Sequence, residues 1–177
     1  GIGRSYTPSD FICQTLGCNL DPGATCPTWD RFLTDIFPDP DVLAFVQKAV
    51  GYSLSGSMKE QVFFFLYGHG SNGKSTFLSV ITKLMGDYAA RAGKALTATN
   101  DRGDYPLREA AGIAGKRFVT GSETSEREKL NIAVLKDITG GERMRGANLF
   151  ENAFEFQPAC KIWFAGNHKP TIADTSA

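Results

Sequence analysis

The chain has 177 residues and a mass of 19.2 kDa, about the size of one ordinary domain, which excludes two independent enzymes. Hydrophobic residues make up 42% of it, with 13 Phe, 5 Tyr and 2 Trp, enough for a packed core and too much for wholesale disorder. Nineteen Lys plus Arg balance nineteen Asp plus Glu, so the global basic footprint of many nucleic-acid binders is missing.

Charge is instead polarised along the chain: residues 1–60 carry four basic and seven acidic groups, residues 83–117 seven basic and four acidic. The first 26 residues mix Gly, Pro, Cys, Ser and Thr without period and predict an irregular arm. Cys13, Cys18, Cys26 and Cys160 match no zinc spacing and read as reduced thiols. No apolar run approaches the roughly 20 residues of a bilayer span, and no signal peptide opens the chain. A cytoplasmic protein with no membrane partner is expected.

From Thr28, a candidate cap, Trp29, Phe32, Leu33, Ile36 and Phe37 recur at three and four until Pro38 and Pro40. A second amphipathic stretch sets Val42, Leu43, Phe45, Val46, Ala49 and Val50 on one face and ends at Gly51. Residues 1–57 thus read as an arm and helical lead-in, and residues 58–177 as a separate core. In that core Val62 to Tyr67 is a continuous apolar run, the pattern of a strand buried on both faces. A helix is predicted over Lys74 to Met85, with Phe77, Leu78, Ile81, Leu84 and Met85 toward a sheet. Arg117 to Gly121 and Lys161 to Ala165 predict further core strands, and Glu126 to Thr139 a helix closed by Gly140-Gly141. The class is α/β, a central mostly parallel sheet flanked by helices.

Between the first strand and its helix stands Gly68-His69-Gly70-Ser71-Asn72-Gly73-Lys74-Ser75-Thr76, a GxxxxGKS pattern in the strand–loop–helix context that gives it meaning. Its glycines let consecutive backbone N–H groups turn toward phosphate oxygens, and the helix N-terminus adds partial positive charge. Lys74 is expected on the β and γ phosphates and Ser75 on Mg²⁺; Thr76 is a weaker candidate, and His69 has no assigned chemistry. Phe118-Val119-Thr120-Gly121-Ser122-Glu123 ends a predicted strand with the carboxylate of Glu123, where an acid prepares water or holds Mg²⁺ through water. Ser122 stands where a tandem acid is usual, so either Ser122 holds Mg²⁺ through water or Glu123 does both jobs. Asn167 follows the Ile162 to Ala165 run, and its amide offers a donor and an acceptor to the γ phosphate and the attacking water.

Quoted in order, CPTWDRFL (26–33), VGYSLSG (50–56), LYGHGSNGKST (66–76), GKRFVTGSE (115–123), LKDITGGERMRG (135–146) and IWFAGNHKP (162–170) resemble the superfamily 3 helicases. The resemblance is to their phage/plasmid primase-helicase family, with its poxvirus-type relatives. It implies an AAA+-like P-loop NTPase core that forms a ring, usually a hexamer, hydrolyses ATP between subunits and translocates on single-stranded or forked DNA. It also implies an upstream primase domain or separate primase, and the host cell cytoplasm for a phage or viral protein. By position, Gly68, Gly73, Lys74 and Ser75 carry over as Walker A, Glu123 as the Walker B acid and Asn167 as the sensor. Asn72 is typical of the superfamily.

Lys129 to Gly141 corresponds to the family's additional motif, followed by a β-hairpin, here about Arg143 to Phe156, reaching into the ring channel. Lys136, Arg143 and Arg145 are the candidate DNA contacts. The sequence departs from the family at the hairpin tip, where Glu151 and Asn152 replace a basic residue. The family's arginine finger falls beyond Ala177, so the 177-residue piece is expected to bind nucleotide and hydrolyse it poorly. Two other functions fit the loop: an AAA+ ATPase that remodels protein, or serves as a structural ring subunit, and a small nucleotide kinase, which calls for an Arg-rich lid.

Overall fold

In the computed structural model, which describes residues 7–98, 106–121 and 130–169, the apolar runs become a four-stranded sheet of β1 (Phe64–Tyr67), β2 (Ala89–Arg91), β3 (Phe118–Thr120) and β6 (Lys161–Gly166). Its order is β1-β6-β3-β2, and every pairing is parallel. A separate antiparallel pair joins β4 (Met144–Gly146) to β5 (Phe154–Phe156). The helices are α1 (Pro27–Ile36), α2 (Pro40–Ser55), α3 (Lys74–Met85), α4 (Lys94–Thr97), α5 (Leu107–Ala111) and α6 (Ile132–Gly140). The expected α/β class with a mostly parallel sheet holds.

Strand alternation sorts the core into two layers. Phe118 and Trp163 face Phe77, Leu78, Ile81 and Met85 of α3, with Val46 and Ala49 of α2 and the α1 side chains Trp29 and Phe32 packed on the same cluster. Val119, Ile162 and Phe164 face the other way, onto Val134, Leu135 and Ile138 of α6, Ala110 of α5 and Met144 of β4. Polar ties reinforce the first layer. Trp163 donates its indole N–H to the buried Ser53 Oγ at 3.0 Å, and the buried Lys161 ammonium reaches Ser57 O and Met58 Sδ under the Tyr52 ring. The arm docks on the end of α3, with Gly17 N–H donating to Leu84 O at 2.9 Å and Asp87 N–H to Thr15 O at 3.0 Å.

Several boundaries differ from the sequence expectations. Cys26, not Thr28, precedes α1, and Pro27 fills its first position, where a missing N–H costs nothing. Asp39 caps α2, accepting from the N–H groups of Asp41 and Val42, and α2 runs through Gly51 to Ser55 because Ser53 continues the buried face of Val46 and Ala49. β1 is shorter than Val62 to Tyr67 and only half-buried, since β6 is its one strand neighbour among the described residues. Leu84 is 40% exposed, lying off the buried stripe of α3. The described part of the last helix begins at Ile132, capped by Asn131 Oδ1, and ends at the left-handed Gly141. The hairpin stands where the sequence put it, within Arg143 to Phe156.

Candidate active site

Parallel pairing brings the C-terminal ends of β1, β3 and β6 to one edge of the sheet, where α/β folds bind ligands. The glycine-rich loop leaves β1 there and enters α3 directly. Its course needs unusual backbone: Ser71 has φ 60° and Gly73 φ 81°, the left-handed region that glycine tolerates best. Gly73 is doubly constrained, since a Cβ would lie 2.7 Å from Ile36 Cγ2 and 3.1 Å from Phe32 Cε2. Helix α1 rests on the loop at this point.

At the centre is Lys74. Its Nζ donates to Gly68 O at 2.7 Å, His69 O at 3.0 Å, Asn72 Oδ1 at 2.8 Å and Asn167 Oδ1 at 3.0 Å. Four neutral acceptors share three donors, so the ammonium is oriented by dipoles while its charge is left without a counter-charge from these groups. His69 thus serves through its carbonyl. A cavity of about 710 Å³ opens beside this centre, lined by Gly70 to Thr76, Thr120, Gly121, Asn167 and Arg91 among others. An apolar cavity of about 560 Å³, lined by Phe37, Phe45 and Tyr67, shares Asn72 and Lys74 with it.

Gly70, Ser71, Asn72, Gly73, Lys74, Ser75, Thr76 and Asn167 therefore line one cavity, and Gly68 joins it through the carbonyl that accepts from Lys74. Glu123, with Ser122 and the glutamates that follow, lies outside the described residues; Thr120 and Gly121, just before it, line the cavity. Lys136 sits on α6 and Arg145 on β4, with Arg143 just before it, and none of the three is among the lining residues. Arg91 is, with Ser79, Thr82 and Lys83, among the lining residues that the sequence did not single out. Its position at the end of a short segment directly after α3, where a crossover helix delivers its parallel strand, was the available signal.

Among the described residues no three His, Cys, Asp or Glu side chains gather to hold a metal ion. Mg²⁺ bound through one protein hydroxyl, with phosphate oxygens and water completing its shell, needs no such cluster. Ser75, lining the cavity next to Lys74, fits that role.

Residues 66–177 match the family described as Family of unknown function (DUF5906). The chain belongs to that family. Relatives of this DUF5906 chain include the protein named Putative helicase L207/L206 of Acanthamoeba polyphaga mimivirus, 28% identical over 97% of the chain and 18% of the relative. Another, named Putative helicase 022R, is from Frog virus 3 and is 26% identical over 81% of the chain and 15% of the relative. An African swine fever virus protein named as a putative primase is 24% identical over 81% of the chain and 15% of its own length. The chain thus spans less than a fifth of these relatives. It shares its fold with the apo C-terminal region of NrS-1, with a TM-score of 0.60 and 14% identity over 87% of the chain and 36% of that structure. No described helix is long and apolar enough to cross a membrane.

Proposed function

We propose that the chain is the ATPase core of a replicative DNA helicase of the superfamily 3 primase-helicase type, with an AAA+-like P-loop fold. The observation that carries this reading is the Lys74 ammonium, held by the loop and by Asn167 at the mouth of one cavity. The viral helicase and primase names of the relatives support it.

On this reading, Lys74 exchanges carbonyl and amide acceptors for β and γ phosphate oxygens of ATP, and the N–H groups at the start of α3 bind the same oxygens. Bound Mg²⁺ neutralises phosphate charge. Ser75 supplies its protein hydroxyl, Asn167 orients the γ phosphate and water, and Glu123, two residues past Gly121, takes the water proton. Self-association into a ring, single-stranded DNA as the track and a primase as neighbour complete the proposal.

Steady-state ATP hydrolysis by the full-length protein, with and without single-stranded DNA, in wild type and Lys74→Ala, tests it. DNA-stimulated turnover that Lys74→Ala abolishes is the expected result. Turnover that ignores DNA, or survives in Lys74→Ala, removes the helicase reading and favours a protein remodeller or structural ring subunit.

A further inference from the structure

Segment β2 follows α3 after one short turn, and its side chains alternate across the sheet. Ala89 packs on the α3 side and Ala90 on the α6 side, so Arg91 returns to the α3 side. It is level with Thr120 of β3 and exposed. Among the described residues its guanidinium has neither a hydrogen-bond nor an ion-pair partner.

The cavity beside Lys74 reaches this arginine. It leaves the loop along one face of α3, past Ser75, Ser79 and Thr82, spaced by four and three residues, and Arg91, Thr120 and Gly121 wall its other side. The described lining carries the cations Lys74, Lys83 and Arg91 and no Asp or Glu, a wall that attracts anions. Lys83 has a second reason to be cationic, since it stands in the last turn of α3, where the helix dipole favours positive charge. Arg91, at the end of a strand, has no such reason.

Strand order decides which part of a nucleotide lies nearest to it. The sheet runs β1-β6-β3-β2. Lys74 is tied to the ends of β1 and β6 through Gly68, His69 and Asn167, whereas Arg91 stands beside β3, the strand that Glu123 follows. On the ATPase reading, water attacks the terminal phosphate from the Glu123 side. That phosphate therefore points toward β3 and β2, while the β phosphate stays with the loop. Lys74 and Arg91 then flank it from opposite sides, and the planar fork of a guanidinium can pair with two phosphate oxygens at once.

We propose that Arg91 contacts the terminal phosphate of the bound nucleoside triphosphate and lets the site distinguish triphosphate from diphosphate. This rests on the ATPase reading above and adds a second cation from the same chain. Lys74 reaches β and γ oxygens and so holds both nucleotides. Arg91 touches only the group that hydrolysis removes, and its contact ends when the product forms.

The test is calorimetric titration of the full-length protein with AMP-PNP, a triphosphate that resists hydrolysis, and with ADP, both with Mg²⁺. It compares wild type with Arg91→Ala, Arg91→Lys and Lys74→Ala. Arg91→Ala should raise the Kd for AMP-PNP about 10- to 100-fold, the scale of one hydrogen bond to a charged group, and leave that for ADP within about twofold. Arg91→Lys should fall between, since the charge is kept and the fork is lost. Lys74→Ala should weaken both nucleotides. The urea midpoint of Arg91→Ala should match wild type, because the side chain is exposed. Wild-type AMP-PNP affinity in Arg91→Ala overturns the proposal, as does equal weakening of AMP-PNP and ADP. Loss of self-association in sedimentation with the nucleotide preference intact also overturns it and assigns Arg91 to a subunit contact. A wild type that binds neither nucleotide sinks the ATPase reading itself.

Discussion

Lys74 Nζ and Asn167 Oδ1 lie 3.0 Å apart although 93 residues separate them in the chain. Parallel pairing of β1 with β6 makes that contact: Tyr67 is level with Gly166, Asn167 directly follows β6, and the glycine-rich loop after β1 brings Lys74, the first residue of α3, to the same edge. The two side chains share one cavity but do different work in the proposed reaction.

Asn167→Ala removes one of four acceptors around the ammonium, so nucleotide binding should change by no more than about threefold. Turnover should fall about 10- to 1,000-fold, the scale for losing one positioned polar group at a reacting centre. Asn167→Asp should instead weaken ATP binding, since a carboxylate beside Lys74 competes with phosphate for the same charge. Calorimetric titration and single-turnover hydrolysis separate these effects. Equal loss of binding in both variants would assign Asn167 to loop architecture alone.

Ser53 and Trp163 offer a stability test away from the site. The indole N–H has its buried partner in Ser53 Oγ, while the ring stacks on Phe64 with centroids 4.3 Å apart. Ser53→Ala leaves that donor without its partner, at a cost of about 1–3 kcal/mol. Urea unfolding should show the loss in midpoint with an unchanged slope. A loss below about 0.5 kcal/mol would mean that water or another acceptor replaces the hydroxyl.

The parts of this architecture that sequence discloses are those whose signal is local. Helix α3 is bounded by the loop and striped by Phe77, Leu78, Ile81 and Met85, and β6 is an uninterrupted apolar run; both stand within a residue of the expected limits. Segment β2 carries no such signal, since Ala89-Ala90-Arg91 has no apolar contrast, so Arg91 gave no sign that it lines the cavity. Lys161 opens a predicted core strand, but nothing in the sequence marks its charge as buried. It is buried because Tyr52, Ser57 and Met58, more than 100 residues earlier, close over it, a relationship that only the tertiary fold creates. Cys26 precedes α1 because Pro27 is pre-set for a first helical position, which outweighs the capping preference of Thr28.

Cys160, buried beside Lys161, gives a pH prediction. Burial pushes its thiol from about 9.0 up to about 12. Between those values the folded chain keeps a proton that the unfolded chain releases. The stability contributed by the neutral thiol is therefore complete below pH 9 and is lost as pH rises toward 12, by a few kcal/mol at most, at about 1.4 kcal/mol per pH unit. Burial lowers Lys161, which acts oppositely: below 10.5 the unfolded chain holds the extra proton, and stability rises with pH. Cys160→Ala removes the first effect and takes from Lys161 the thiolate charge that opposes its lowering. Urea midpoints from pH 8 to 11 should show wild type ahead at the acid end and its advantage shrinking steadily. A constant gap would place the thiol in a more polar setting than the fold shows.

The contact of α1 with Gly73 also limits how the loop can respond. Ile36 and Phe32 occupy the space directly behind the residue that precedes Lys74, and those side chains are themselves packed against Phe77 and its neighbours. The loop has a backstop: it yields toward the cavity and is stiff toward the helix. Recoil from a ligand arriving at Lys74 is therefore delivered to α1, and through it to whatever α1 carries.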